Sequence, residues 1–374
     1  MDSVSTLHTY PKRRRSGLLR CCSLLLAVLL AGCASQYALP PKADQAREYY
    51  ENGLSLYSRQ QYSDAIDQYL LALEINPDWA EAHFALGMTY NHTRFHHGAI
   101  RSFNEAARLK PNNEDAWYNI GRTHVEFLRD TTAAILECES ALVRGQAFPK
   151  VTLLLGTLYE AVGWTDNAQQ AYADATQLDD RLADAWEHKG LLHYRLEEFD
   201  EALEAFEKVV AISPSAAVAR FNLGVIRYNR GEFEQAAMEY RKLLAFVPDH
   251  IEAHSNLAQA YYTTDRLSEA VEHFKKALQQ DSSRVDILVS MAIVYEEMQQ
   301  PDNAMTAYEQ ALVLLPTNTT ALLNVGILYR NVGRLEDAHR ALSGYLHNAA
   351  ETTLFRRIEL AVKELERLLA TPED

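Results

Sequence analysis

Cysteine is scarce in this chain. Only four of the 374 residues are cysteine, at positions 21, 22, 33 and 138, and no two of them form a C-x-x-C pair. A disulfide framework or a zinc knuckle needs cysteines at such spacings, so the sequence excludes both. For Cys138 we favour a buried, inert thiol that packs between helices.

Basic residues are also few, because 36 Lys and Arg stand against 51 Asp and Glu, giving a net charge of −15. Binding to phosphates requires clustered Lys and Arg, so nucleic acid and anionic lipid headgroups are disfavoured as direct partners. The sequence has no strand pattern and no G-x-S-x-G, Walker or G-x-G-x-x-G motif. We therefore expect no enzymatic activity, no cofactor and no small-molecule substrate.

Histidines provide the one candidate metal cluster. His92, His96 and His97 lie close together in the sequence, with His83 upstream. The pair His92 and His96 straddles a predicted turn, and no acidic residue lies between them. Solvated turn histidines are therefore the favoured interpretation over a metal site.

Residues 1–32 have the organisation of a signal peptide. A basic segment, residues 12–15, precedes an apolar run at 21–31, which is too short for a bilayer span of about 20 residues. The run ends in Leu30-Ala31-Gly32-Cys33, which resembles the lipobox of bacterial lipoproteins. The resemblance implies cleavage before Cys33, acyl chains on Cys33 and a tether over residues 33–45. Ala34 in place of Asp then favours the outer membrane. An ordinary secretory signal or an uncleaved anchor is the alternative.

The rest of the chain repeats one pattern every 34 residues, as from Gly190 to Gly224. Its clearest copy runs from Ala183 to Pro214, with Gly190 on one apolar-periodic helix and Ala202 and Phe206 on the next. A fixed period of this size indicates stacked helical hairpins that bury their apolar faces against their neighbours. The small residue of the first helix recurs at Gly53, Gly87, Gly121, Gly156, Gly190, Gly224, Ala258, Ala292 and Gly326.

This pattern resembles the tetratricopeptide repeat (TPR) family, whose units carry W-x₂-L-G-x₂-Y, then A-x₃-F, then P. The resemblance implies an all-α, right-handed superhelical solenoid of about nine hairpins over residues 46–350. A capping helix and tail, residues 351–374, would follow. The third copy is one residue longer, with the extra residue expected around Arg129 to Thr132. The stripe of Leu354, Ile358, Ala361, Leu365 and Leu368 is read as the buried side of the cap, with a docking face for a partner helix as the alternative.

In TPR proteins the first helices line a concave face, here called the predicted groove. Two residues before the small residue, four copies carry asparagine and one carries histidine. Carboxamides can pair with successive peptide groups of an extended ligand, and neighbouring aromatic rings would add contact area. The predicted peptide-binding residues are Tyr118, Asn119, His188, Phe221, Asn222, Tyr228, Asn256, Tyr262 and Asn324. The alternative is that some of them merely cap or bridge neighbouring hairpins.

The charges of the predicted groove favour a basic or neutral partner. Arg122, Arg195 and Arg330 lie in different copies, which disfavours a clamp for a terminal carboxylate. Six glutamates share the same surface: Glu51, Glu126, Glu160, Glu187, Glu296 and Glu297.

Together these features predict a lipid-anchored, periplasm-facing scaffold that holds protein partners during cell-envelope assembly. The layout resembles TPR lipoproteins that act as pilotins of type IV pili or as adaptors for peptidoglycan enzymes. The alternative is an accessory subunit of polysaccharide synthesis or export machinery.

Overall fold

The computed structural model describes residues 42–144 and 147–370. The signal peptide, the lipidation site Cys33 and most of the tether lie outside the described residues. Within them the chain forms nineteen helices and no strand, so the predicted all-α TPR fold is confirmed. The helices are α1 Lys42–Ser58, α2 Tyr62–Ile75, α3 Ala80–His92, α4 His96–Leu109, α5 Glu114–Glu126, α6 Thr131–Val143, α7 Pro149–Ala161, α8 Thr165–Leu178, α9 Ala183–Arg195, α10 Phe199–Ile212, α11 Ala217–Asn229, α12 Phe233–Phe246, α13 Ile251–Thr263, α14 Leu267–Gln280, α15 Val285–Glu297, α16 Pro301–Leu314, α17 Thr319–Asn331, α18 Leu335–Asn348 and α19 Thr353–Ala370.

The helices fall into two compact units, Met1–Arg94 and Phe95–Asp374, divided in the turn between α3 and α4. In the first unit, Tyr69 and Leu86 lie in a small buried cluster of α2 and α3. In the second, a continuous apolar cluster extends from Ala236 in α12 to Leu365 in α19. Among the described residues, no helix combines the length and apolarity needed to cross a bilayer.

A left-handed residue marks the turn inside each hairpin. Within the described residues, nine have φ between 57° and 81°, and they are spaced by one repeat except for a single interval that is one residue longer. Three are glycine, for which this conformation carries little steric cost, and six are not. The nine residues are Gln60, Arg94, Arg129, Gly163, Glu197, Gly231, Asp265, Gln299 and Gly333.

The extra residue of the third copy lies earlier than the sequence suggested. In the fourth copy the turn closes with Trp164 N–H donating to Tyr159 O, five residues back. In the third copy the matching bond runs from Asp130 N–H to His124 O, six residues back. The widened turn at the end of α5 therefore absorbs the additional residue before Arg129, not at Arg129 to Thr132.

Close helix packing explains the small residue of the first helices. A Cβ atom added to Gly224 would lie 2.4 Å from Cε1 of Tyr240, a fully buried ring of the next helix. At Gly190 the corresponding distance to Cε1 of Phe206 is 2.8 Å. In these two hairpins the helices therefore meet where the first helix has no side chain.

A second repeated contact ties several first helices to the turn before them. Trp117, Trp186 and Arg220 occupy the same position of α5, α9 and α11, and each donates a side-chain N–H to the carbonyl six residues back. His254 makes the equivalent contact, with Nε2 2.8 Å from the carbonyl oxygen of Pro248. Trp, Arg and His all provide a nitrogen donor of sufficient reach at this position.

The last helix, α19, caps the second unit through the middle of the predicted stripe, whose two end residues are exposed. Ile358, Val362 and Leu365 are buried in the continuous cluster, whereas Leu354 and Leu368 are exposed. The buried residues follow the i, i+4, i+7 spacing of one helix face, and Leu354 and Leu368 lie too near the helix ends to reach the cluster.

Candidate peptide-binding groove

The predicted groove residues lie at equivalent positions of α5, α9, α11, α13 and α17, all in the second unit. Asn119 is buried, whereas Asn222, Asn256, Asn324 and His188 are half-buried. Whether each carboxamide is available to a ligand depends on the residue sixteen positions earlier, which belongs to the second helix of the preceding hairpin.

Where that earlier residue is tyrosine, the asparagine binds its hydroxyl. Asn324 Nδ2 donates to the Tyr308 hydroxyl at 2.9 Å, and Asn256 Nδ2 lies 3.4 Å from the Tyr240 hydroxyl. The Tyr308 hydroxyl in turn donates to Glu296 Oε1 at 2.6 Å. Asn256 and Asn324 therefore bridge neighbouring hairpins, which was the alternative left open by the sequence, and each keeps its carbonyl oxygen and one N–H.

Where the earlier residue is phenylalanine, no hydroxyl is available and the asparagine turns to its own helix. Asn222 Nδ2 donates to the carbonyl of Val218 at 2.9 Å, and Asn119 Nδ2 donates to the carbonyl of Asp115 at 2.7 Å. The Oδ1 atom of Asn119 is buried and has no hydrogen-bond partner among the described residues. Because the Asn119 side chain is only 6% exposed, Asn222 is the more accessible of the two.

His188 occupies the asparagine position in α9. It stacks on the ring of the tyrosine sixteen residues earlier instead of binding the tyrosine hydroxyl. Its imidazole lies on the ring of Tyr172, with centroids 5.6 Å apart and an interplanar angle of 22°. The Tyr172 hydroxyl donates to Glu160 at 2.8 Å, and Glu160 also pairs with Arg195 at 2.7 Å. Arg195 is thus neutralised by a glutamate, which removes it as a carboxylate-binding group.

Three tyrosines form a row along the same helices. Tyr194, Tyr228 and Tyr262 occupy the same position of three successive copies, in α9, α11 and α13, and all three are half-buried. Phe199 packs edge-on against Tyr194 at 5.6 Å between centroids, and Phe233 packs against Tyr228 at 5.1 Å. Their hydroxyl groups have no hydrogen-bond partner within residues 42–144 and 147–370. We call these three residues the tyrosine row.

A pocket of about 270 Å³ opens between α11, α12 and α13. Burial raises the pKa of Tyr240, so the phenol stays protonated and the lining carries no charge at neutral pH. The pocket brings together two of the predicted residues, Tyr228 and Asn256. It is lined by Val225, Tyr228, Asn229, Tyr240, Asn256 and Gln259.

Sequence reasoning missed four of the six lining residues. Gln259 lies three positions after Asn256 and Val225 three before Tyr228, so helix periodicity alone places them on the same faces. The repeat pattern assigns Tyr240 to packing and gives its hydroxyl no role. The presence of tyrosine in some copies and phenylalanine in others at this position was the available signal. For Asn229 we find no signal in the sequence.

Of the six glutamates assigned to the predicted groove, Glu51, Glu126 and Glu160 are paired with arginines. Glu187, Glu296 and Glu297 have no cationic group within 4 Å among the described residues. Partial burial raises the pKa of Glu187. Arg122 lies 3.3 Å from Glu126 and is held by it. Tyr118, Phe221 and Tyr262 are half-buried, and the Phe221 ring stacks on His250 at 5.4 Å between centroids.

The clustered histidines are engaged with aromatic rings. His92 stacks on Tyr62 at 4.7 Å between centroids, and His96 stacks on Phe127 at 4.4 Å. No group of three metal-ligating side chains is found in the part of the chain that the structure describes. Cys138 is buried, and burial raises the pKa of its thiol to about 12, which disfavours the reactive thiolate.

Comparison with known families agrees with the hairpin geometry. A family model described as TPR repeat matches residues 53–91. A model described as tetratricopeptide repeat matches residues 153–217, 189–251 and 221–284, and another of that description matches 285–315. Together the matches cover just over half of the chain, which belongs to the tetratricopeptide repeat family.

Individual relatives are more distant. Over 184 residues the chain is 24% identical to the human Protein O-mannosyl-transferase TMTC3, and over 171 residues it is 28% identical to the Probable UDP-N-acetylglucosamine--peptide N-acetylglucosaminyltransferase SPINDLY of Hordeum vulgare. Each match covers 44% of this chain but only 20% and 18% of the relative, so the chain spans about a fifth of these curated relatives.

A solved structure shows the same fold. The C-terminal part of a TPR repeat-containing protein from Cytophaga hutchinsonii superposes with a TM-score of 0.51 at 20% identity, covering 64% of this chain and 98% of that one.

Proposed function

We propose that the chain is a non-enzymatic scaffold that captures an extended segment of a protein partner in the predicted groove. The observation that carries this proposal is the uncharged pocket between α11 and α13, with unpartnered phenol hydroxyls beside it. Extended peptides expose backbone carbonyl and N–H groups, which phenols and carboxamides can pair without reading side chains.

A crosslinked pull-down from envelope fractions tests the groove. The double variant Asn222→Ala with Asn256→Ala removes two half-buried carboxamides from adjacent hairpins, whereas Gln279→Ala removes one from the exposed side of α14. We expect the double variant to lose crosslinked partners that wild type and Gln279→Ala retain. An unchanged partner set in the double variant would rule out capture through these asparagines.

We further propose that the scaffold is anchored through acyl chains on Cys33 and acts at the periplasmic face of the outer membrane in envelope assembly. The support is the sequence of residues 12–33, which lie outside the described residues. Labelling cells with palmitate should mark wild type and spare Cys33→Ser, and membrane fractionation should assign the labelled protein to one membrane. Equal labelling of both proteins would remove the anchor from the proposal.

The second candidate, an accessory subunit of polysaccharide machinery, has one observation in its favour. Both curated relatives carry the names of sugar transferases, although the matches cover about a fifth of each. The same pull-down distinguishes the candidates, because pilus or peptidoglycan proteins support the first, and glycosyl enzymes support the second.

A further inference from the structure

We infer that the tyrosine row binds an uncharged, proline-containing segment flanked by a Lys or Arg that pairs with Glu296. This inference rests on the proposed capture of extended segments and specifies which segment is preferred. It follows from the row itself, from the pocket beneath it and from the charges at its two ends.

The row repeats one kind of group across three adjacent hairpins. Tyr194, Tyr228 and Tyr262 each present a half-buried ring, and the edge-on contacts to Phe199 and Phe233 hold the first two rings in place. Rings that are already fixed lose little conformational freedom when a ligand covers them. Such a series favours a ligand with apolar, rigid groups at regular intervals.

The unpartnered hydroxyls of the row specify the backbone of that ligand. A polyproline II segment has no internal hydrogen bonds, so its carbonyl oxygens are free to accept from phenols. It is also preformed, and proline-rich segments commonly bind aromatic-lined grooves for this reason. A helix or a strand already paired in a sheet would leave these donors without acceptors.

The pocket provides an anchor in the middle of the row. Tyr228 forms one wall, Asn256 and Gln259 lie across from it, and the buried hydroxyl of Tyr240 is close to Asn256. Because no lining group is charged at neutral pH, a carboxylate or ammonium group entering the pocket would lose hydration without a counter-charge. The segment over the row should therefore be uncharged.

Charge differs between the two ends of the row. The position of the tyrosines is occupied by Glu160 in α7 and by Glu296 in α15. Glu160 is paired with Arg195 at 2.7 Å, whereas the Glu296 carboxylate accepts only the Tyr308 hydroxyl and has Glu297 beside it. Arg330 holds the same position one copy later and would repel a basic residue that slid beyond Glu296. The binding of one basic residue at Glu296 thus fixes the register of the segment and places its basic end over α15.

The test uses the full-length chain and fluorescein-labelled peptides. The reference peptide is a run of prolines ending in two lysines. In the comparison peptides the prolines are replaced by glycine and serine, or the lysines are replaced by glutamates. Fluorescence anisotropy gives the dissociation constants. We expect the reference peptide to bind about tenfold or more tightly than each comparison peptide.

Protein variants test whether the Tyr228 side chain and the Glu296 carboxylate contact the peptide. Tyr228→Phe deletes one hydroxyl and should weaken the reference peptide about 2- to 10-fold, in line with the loss of one hydrogen bond. Tyr228→Ala should weaken it further. Glu296→Gln should abolish the preference for the lysine-ended peptide, and the control Glu234→Gln, an exposed carboxylate of α12, should leave it intact. Circular dichroism of each variant verifies folding, and Tyr228→Phe serves as the test if Tyr228→Ala unfolds.

The outcomes separate this inference from the capture proposal. Equal binding of the proline and glycine-serine peptides, both weakened by the Asn222→Ala with Asn256→Ala variant, overturns the proline preference and supports general capture. Proline-dependent binding that is insensitive to Tyr228→Phe and Tyr228→Ala overturns the role of the tyrosine row. Absence of binding by every peptide, together with an unchanged pull-down, overturns both.

Discussion

His254 and His273 share a hydrogen bond between their Nδ1 atoms, which lie 2.8 Å apart across the α13–α14 hairpin. The preceding hairpin holds Arg220 against Glu239 at the same two positions, also at 2.8 Å. In the α15–α16 hairpin, by contrast, these positions are apolar: Leu288 and Ala307. Two adjacent hairpins therefore replace an apolar contact with a polar pair.

The histidine pair can hold only one proton between its two facing nitrogens. His254 Nε2 lies 2.8 Å from the Pro248 carbonyl oxygen and so must carry a proton. In the neutral pair His254 Nδ1 is then the acceptor, and we assign the shared proton to His273 Nδ1. Protonation of His254 would place two N–H groups against each other.

Acid should therefore weaken this hairpin. Burial lowers the pKa of His254 below its ordinary 6.5, and burial together with His254 lowers that of His273 to about 4. Lys276 lowers both values further, and Arg241 lowers that of His273, whereas Asp249 and Glu272 oppose these shifts. Because the folded state binds protons less readily than the unfolded state, the stabilisation is complete above pH 6.5 and is lost as the pH falls towards 4.

Hydrogen exchange of α13 and α14 at pH 7.5 and pH 5 would measure this loss. The matched control is His254→Leu with His273→Ala, which reproduces the apolar pair of the α15–α16 hairpin. We expect the protection factors, which are corrected for the slower intrinsic exchange at pH 5, to fall more in wild type than in the control. The same fall in both proteins would contradict a role of the histidine pair.

Glu239 should be the most sensitive single position of the α11–α12 hairpin. It is 4% exposed and accepts hydrogen bonds from Arg220, Arg227 and Lys242. Glu239→Ala leaves the buried Arg220 without a counter-charge, which typically costs about 3–5 kcal/mol. Urea unfolding should show this loss, and Arg220→Leu with Glu239→Ala should recover most of it. A double variant as unstable as the single one would argue against the ion pair.

A substitution in one left-handed turn should stabilise the protein, in contrast to Glu239→Ala. Glu197 has φ of 62°, whereas Gly231 occupies the matching turn of the next hairpin with φ of 80°. Left-handed backbone costs a residue with a Cβ about 1–2 kcal/mol, which glycine avoids. Glu197→Gly should therefore raise the thermal unfolding midpoint, and Gly231→Ala should lower it. A drop in the midpoint for Glu197→Gly would show that its side chain contributes more than the turn strain costs.

Tyr308→Phe should have a small but measurable effect. The hydroxyl of Tyr308 joins Glu296 to Asn324, yet Phe206 and Phe274 occupy its position in other hairpins without a hydroxyl. The loss should be about 0.5–1.5 kcal/mol per hydrogen bond in urea unfolding. The carboxamide signal of Asn324 in an NMR spectrum should also shift, as it turns towards its own helix in the manner of Asn222. An unchanged Asn324 signal would mean that the bond to Tyr308 is not formed in solution.

The sequence alone determined the helical hairpins. Glycine or alanine at the helix crossing, alanine and an aromatic residue in the second helix, and the fixed repeat interval are local features, and each restricts backbone geometry within one hairpin. The nine left-handed turns recur at this interval, except for the longer step from Arg94 to Arg129. The sequence misplaces the extra residue of the third copy because apolar periodicity registers that a residue is extra but not which turn absorbs it.

Only the tertiary structure decided which polar groups are available to a ligand. Asn256 and Asn324 bind tyrosines of the preceding hairpin, whereas Asn222 faces a hairpin that carries Phe206 and bonds to its own helix. The same holds for His254 and His273, which lie on different helices and meet only when these pack. Such contacts depend on the relative placement of two packed helices and on single oxygen or nitrogen atoms, and hydrophobic spacing contains no information about either.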